Sequence, residues 1–492
     1  MCLGIITKNM SQASPQQIPE GIVTSADSPS YVNLISKNAI PLGTLLNLCG
    51  QLGMVVESLS KSQSISKSRS YEEANEAKQI PIINTRDLQF QSKIQILGDI
   101  TSLENSIIDR AHTVITPGTV ATTPTTESLK NIFAPEHRNW SPIGELLHTG
   151  SPLSINISGL AKHIGIFGKT GSGKSSTEIN LLNSVASKNG TAIVFDLHGE
   201  MKHAKIPNSN LLEGKLDPKF LDNDALADII EIRSGSTIQR TVLTQSLTDH
   251  VKNSRHFWES LLLEVRTHLE EKGHKSAAER VIEMIELIQI KQAKLFQPIG
   301  NPIYSIIPGK INLIDLSELT TKQADLVVSE YLKKIDTDRR RACNPDGNPN
   351  YRVQFKIPVF IMIDEVHNFI PLDDSTRSKF WIKKVARESR KFGVSLGITT
   401  QRIRNCDPTV ISQLGSMIIH TTTHADDKSV LHSSSEHITS EMLPRISELG
   451  CGQVLMLGDV VRIPVYGKVT FYENKYSSDH DLVAEWAKAS QT

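Results

Sequence analysis

The spacing of apolar positions changes character along the chain, and each change predicts a different kind of structure. Over roughly the first 140 residues the apolar stretches are short and rich in β-branched side chains: GIVTSADSPSYVNLI, PLGTLLNL, LGMVVESL, INTRDLQFQSKIQILGDI and AHTVITPG. Gly, Pro, Ser and Asn punctuate them, which predicts a small β-barrel or sandwich. Residues 60–79, SKSQSISKSRSYEEANEAKQ, are polar and read as a loop or short helical excursion, and PTTESLKNIFAPEHRNW reads as a linker. From about residue 155 the pattern becomes apolar strand (ISGLAKHIGIFG), Gly-rich loop, helix ending at Gly190, apolar strand (TAIVFD), which is a βαβ unit of a parallel sheet.

Residues 206–310 take a helical period instead. Trp258, Leu261, Leu262, Val265 and Leu269 fall at i, i+3, i+4, i+7 and i+11, and VIEMIELIQI continues the amphipathic pattern. The α/β alternation then resumes with INLIDLSEL, TTKQADLVVSEYLKKI, IPVFIMIDE, TRSKFWIKKVARESRKFG, SLGITTQ and GSMIIHT, and GQVLMLGDVVRIPVYGKVTFYE reads as paired β-hairpin strands. The expectation is an α/β protein: a barrel over 1–140, a P-loop core over 141–205 and 311–475, a helical insertion over 206–310, and a tail over 476–492.

Composition narrows the class without naming a function. The 492 residues are 38% apolar and 22% charged, with 53 basic and 53 acidic side chains, as in a globular protein of two or three domains. No run approaches the ~18 apolar residues of a membrane span. MCLGIITKNM has neither the basic start of a signal peptide nor the glycine at position 2 of a myristoylation motif. Cys2, Cys49, Cys343, Cys406 and Cys451 include no CxxC pair, which argues against a zinc site or disulfide framework and predicts a reducing cytoplasm.

Gly168-Lys169-Thr170-Gly171-Ser172-Gly173-Lys174-Ser175, followed by Ser176, matches GxxxxGK[ST] without a gap. Glycines let successive backbone N–H groups converge on phosphates, and the following helix adds the positive end of its dipole. In this pattern Lys174 reaches the β- and γ-phosphates of ATP and Ser175 gives its hydroxyl to Mg²⁺. The bland alternative is a glycine turn that merely caps a helix, and the strand before and helix after the motif weigh against it.

Hydrolysis needs more than a phosphate cradle. The apolar strand IPVFIMI ends in Asp364 and Glu365, where a parallel strand delivers side chains to the ligand crevice. Asp364 is expected to hold Mg²⁺ through water and Glu365 to polarise the attacking water; the bland alternative, a buried strand with an acidic cap for the next helix, fits Asp315 of INLIDLSEL well and the Asp364-Glu365 pair less well. Gln401 ends SLGITTQ, where an amide can contact the γ-phosphate. Arg387 and Arg390, three apart on a basic helix, are either a solvated face or an arginine finger for a neighbouring subunit. His198 and Glu200 face the nucleotide, line a pore, or only form a turn.

GKTGSGKSS, FDLHGE, FIMIDEVHNFIP and ARESRKFGVSLGITTQ occur in the order seen in HerA-like hexameric DNA-translocating ATPases, relatives of FtsK-type motors, and the chain resembles that family over about 155–470. SQLGSMIIHTTTHADD and GCGQVLMLGDVVRIPVYGKV extend the likeness. Leu197, Thr400 and Ile403 depart from the family's usual residues and suggest a divergent branch. The resemblance implies a homohexamer around duplex DNA, driven by ATP and Mg²⁺, with Lys174, Asp364, Glu365 and Gln401 in its nucleotide site and the finger within Arg387 to Arg390. It also implies a nuclease partner in DNA end processing, or a nuclease or sirtuin-like NAD-degrading effector in anti-phage defence. An assembly ATPase ring that scaffolds and gates an effector is the competing reading, and a monomeric P-loop kinase or signalling NTPase a distant third.

Overall fold

The computed structural model describes residues 19–83, 87–109, 112–233, 235–270, 274–291, 294–344 and 352–472. The expected tail 476–492, Cys2 and Gly4 lie outside them. The described residues divide into two compact units, one holding those from Pro19 to Gly159, Gly171–Gly173 and Ser416–Thr470, the other Leu160–Thr170, those from Lys174 to Gly415, and Phe471 with Tyr472.

The first unit opens with a closed six-stranded barrel. Its strands are β1 (Pro19–Ser28), β2 (Tyr31–Ser36), β3 (Leu45–Leu48), β4 (Gln51–Ser62), β5 (Leu88–Asp99) and β6 (Val120–Thr122), in the order β1-β2-β5-β4-β3-β6. Alternation drives closure: in β5, Ser92, Ile94 and Ile96 are buried while their neighbours are not. Val23, Val32, Leu34, Leu46, Leu48, Val55 and Ala121 complete the barrel core. The polar excursion contains a short helix, Tyr71–Ala77, whose N-cap Ser70 accepts from Glu73 N.

Two expectations are corrected in this region. AHTVITPG contributes no strand among its described residues; the sixth strand is β6, just beyond it. The supposed linker contains a helix, Thr126–Phe133. Thr125 caps it by accepting from Ser128 N, and Leu129, Ile132 and Phe133 are buried at i, i+3 and i+4. The antiparallel pair β7 (Trp140–Leu146) and β8 (Pro152–Asn156) follows.

The second unit is built on six parallel strands. They are β9 (Ile164–Phe167), β10 (Thr191–Asp196), β11 (Ser209–Glu213), β12 (Ile311–Asp315), β13 (Val359–Ile363) and β14 (Val394–Thr400), ordered β11-β12-β10-β13-β14-β9. All residues of β9, β10 and β13 are buried, as expected of strands covered on both faces. β14 separates β9, which precedes the Gly-rich loop, from β13, which ends at the acidic pair. Strand β11 lies inside the stretch expected to be helical; five residues with half-exposed alternation are too short a signal to read from sequence. Beyond it the described residues from Asn223 to Lys291 are mainly helical. In Phe257–Thr267, Phe257, Leu261 and Val265 are buried at i, i+4 and i+8.

After residue 415 the chain rejoins the first unit as β15 (Ser416–Ile419), β16 (Gln453–Gly458) and β17 (Val465–Val469), antiparallel in the order β15-β16-β17-β7-β8. Among the described residues no helix is long and apolar enough to cross a membrane.

Candidate functional site

The Gly-rich loop leaves β9 and turns into the helix Lys174–Ser187. Gly171 (φ 72°) and Gly173 (φ 105°) occupy left-handed conformations that a side chain would strain. Lys174 Nζ donates to Gly168 O at 2.9 Å and Lys169 O at 3.4 Å. Thr170 Oγ1 donates to Gln401 Oε1, so the amide at the end of β14 touches the loop. Ser175 Oγ donates to Glu200 Oε2 at 3.3 Å, and Ser176 Oγ accepts from Tyr472 N at 3.3 Å.

Glu200 reaches Ser175 because Asp196, at the end of β10, folds the next turn back on itself. The Asp196 carboxylate accepts from Gly199 N at 2.8 Å and Met201 N at 2.7 Å. Sequence left Glu200 undecided; its place was legible only as the acid closing DLHGE.

At the end of β13, Asp364 Oδ1 accepts from Thr399 Oγ1 at 2.6 Å and from Glu365 N at 2.8 Å. Burial pushes its carboxyl up to about 6, with the negative neighbours Glu365 and Asp196 adding to burial and the Thr399 hydrogen bond opposing it. Glu365 is buried and sits at φ 44°, ψ 50°, a left-handed conformation rare for a non-glycine residue. Burial also pushes Glu365 upward, but His367 Nδ1, 3.1 Å from Glu365 Oε2, together with the charge of Lys174, outweighs it. Glu365 therefore titrates below the usual carboxylate range. Two adjacent carboxylates are driven in opposite directions, and Glu365 stays ionised and able to accept a proton.

Glu178, one turn after Lys174, is a third acid that no motif in the sequence marks. It is buried and held protonated well above the usual range, by burial first and Asp364 next; Lys174 and a hydrogen bond with Thr399 oppose them. A glutamate inside the apolar face of a helix was the available signal.

The oxygen donors suit Mg²⁺, which prefers few protein ligands and retains water. Ser175 brings a hydroxyl already engaged by a carboxylate, and Asp364 a carboxylate oriented by two donors. Arg387 and Arg390 are not part of this cluster. Both are exposed, and among the described residues neither makes a hydrogen bond or ion pair with Asp364 or Glu365. Arg387 lies in the last turn of the helix Arg377–Glu388 and Arg390 in the 3₁₀ turn that follows it.

A phosphate-type glycine loop after β9, an acidic pair after β13 and an intervening β14 followed by Gln401 define a P-loop ATPase with a RecA-like core. Residues 141–335 match the family model "Helicase HerA, central domain". The chain is 30% identical over 391 residues to the DNA double-strand break repair helicase HerA of Sulfurisphaera tokodaii, covering 76% of this chain and 77% of that one. It is 27% identical over 482 residues to the protein of the same name from Saccharolobus solfataricus, covering 94% and 92%. The chain belongs to the HerA helicase family and is an ATP-hydrolysing enzyme. Among solved structures, VirB4 of Thermoanaerobacter pseudethanolicus aligns with a TM-score of 0.51 at 12% identity, over 68% of this chain and 97% of that one, a likeness of fold.

Proposed function

We propose that the chain is one subunit of a homohexameric ring that uses ATP and Mg²⁺ to move duplex DNA, acting with a nuclease or other effector partner in DNA end processing or anti-phage defence, in the cytoplasm. The observation that carries the nucleotide chemistry is the meeting of Ser175 with Glu200 and of Thr170 with Gln401, beside an ionised Glu365 under the influence of Lys174.

In this reading the amides of Gly168–Ser176 cradle the triphosphate, and Lys174 leaves its loop carbonyls for the β- and γ-phosphates. Mg²⁺, held by Ser175 and Asp364, would supply charge neutralisation on the phosphate oxygens. Glu365 accepts the proton of the attacking water, while Gln401, tied to Thr170, reports the state of the γ-phosphate. Exposed Arg387 or Arg390 reaches the site of a neighbouring subunit, so activity requires the oligomer. The family relatives named as repair helicases support the DNA-motor reading.

Phosphate release from the purified protein tests it. Duplex DNA is expected to stimulate release, and Lys174→Ala to abolish it. A hexamer that hydrolyses ATP but neither responds to duplex DNA nor binds it at low salt sinks the motor reading and leaves a scaffold ring.

A further inference from the structure

We infer that His420 and the turn 449–452 are positioning elements of the phosphate loop, fixing its central peptides so that their N–H groups face the nucleotide. The inference rests on the nucleotide-site reading above.

The contacts lie at the loop apex. Ser172 O accepts from Gly452 N at 2.9 Å and lies 3.0 Å from Nδ1 of His420, a wholly buried side chain at the end of β15. A carbonyl can only accept, so His420 Nδ1 carries the proton in this contact. One residue earlier, Cys451 Sγ donates to Gly171 O at 3.3 Å. Two successive carbonyls of the loop are thus held by one surface.

Peptide planarity turns this into a statement about the phosphates. In a trans peptide the C=O and the following N–H point in opposite directions, and the described residues contain no cis peptide. Holding Gly171 O and Ser172 O directs Ser172 N–H and Gly173 N–H away from the clamp. Consecutive amides turned to one side form an anion nest, and amides fixed beforehand lose no ordering entropy when the anion arrives.

The clamp is itself braced. Thr421 Oγ1 donates to Leu449 O, Gly450 N donates to Gln453 Oε1 at 2.9 Å, and Val469 N donates to Gly452 O at 2.9 Å. Gly173 also meets the turn so closely that a Cβ there would lie 3.1 Å from Gly452 Cα and 3.4 Å from His420 Cε1. A side chain there would be strained by the backbone angle and would press on the turn besides.

Binding of a fluorescent ATP analogue to the full chain, with apo melting temperature and ATPase kinetics, tests the inference. His420→Leu is expected to weaken binding by about tenfold, the loss of one well-placed hydrogen bond. It should raise KM for ATP by a similar factor with a smaller fall in kcat, because ground state and transition state lose the same support. His420→Asn, whose amide reproduces the Nδ1 donor, should recover most of the affinity. Cys451→Val should weaken binding by about two- to threefold, and Cys451→Ser restore it. Wild-type affinity in His420→Leu overturns the inference, as does equal weakness of the Leu and Asn variants at wild-type melting temperature. Should His420→Leu fail to fold, identical affinities for Cys451→Val and Cys451→Ser overturn it instead. Lys174→Ala in the same assay separates the two levels: wild-type binding there refutes the site reading, whereas its loss alongside an unaffected His420→Leu refutes only the clamp.

Discussion

Strands β12 and β13 are both apolar runs, β12 ending in Asp315 and β13 followed at once by Asp364, and they stand in the same parallel sheet with β10 between them. Register pairs Asp315 with Asp196, and one step beyond the paired Phe195 and Ile363 comes Asp364. Asp315 meets Lys202 Nζ at 2.9 Å and Ser317 N at 2.9 Å; burial raises its carboxyl, but Ser317 and Lys202 hold it below the usual range. Asp364 has neighbouring acids and no ion pair among the described residues, and burial takes it to about 6. The strand pattern delivers a carboxylate to the carboxyl end of the strand. Whether that carboxylate is spent on a local cation or kept for a ligand is decided by what the next turn supplies.

Hydrolysis should separate the two strand ends most widely. Glu365→Gln is expected to lower phosphate release by about a hundredfold or more while nucleotide binding persists, since an amide cannot take the proton of water. Asp315→Asn should leave turnover within about twofold. Comparable losses in both would show that the β13 end is not the seat of proton transfer.

Stability should move in opposite directions. The folded carboxyl of Asp364 titrates above its unfolded value of 3.8, so its contribution is fully present below about 3.8 and lost as pH rises through about 6. Removing that charge helps where the charge is costly. Without metal, Asp364→Asn is expected to gain on the order of 1–3 kcal/mol at pH 8, a gain that disappears by about pH 4. Asp315 is depressed instead, so its contribution exists above 3.8 and fades as pH falls below it. Asp315→Asn should therefore lose up to about 1 kcal/mol at neutral pH. Urea denaturation with chelator at both pH values reads the signs, and a shared sign breaks the contrast.

The sequence made one half of this legible. The Gly168–Ser176 loop and the Asp364-Glu365 end were readable because each is contiguous and bounded by fully buried strands, whose apolar runs are unambiguous. The helix Thr126–Phe133 was hidden by its short length, and β11 by lying at the sheet's edge, half exposed. Glu200 on Ser175 and His420 on Ser172 join residues 25 and 248 positions apart, and no local period encodes such contacts. Glu178 was obscured for another reason: a glutamate in a helix ordinarily marks the solvent face, and here it is buried.

Lys202 offers the finest test, because it is what makes Asp315 unlike Asp364. Their side chains are 29% and 17% exposed, so the pair is worth only a surface-like coupling of about 0.2–1 kcal/mol despite its short contact. Lys202→Met should cost about that much at pH 7, and the cost should shrink as acid protonates Asp315. Combined with Asp315→Asn, the second substitution should add almost nothing, since the first has already removed the charge interaction. A double-mutant cycle in urea at pH 7 measures the coupling. If the two losses simply add, Lys202 is not what holds Asp315 ionised, and the difference between the strand ends must come from their burial alone.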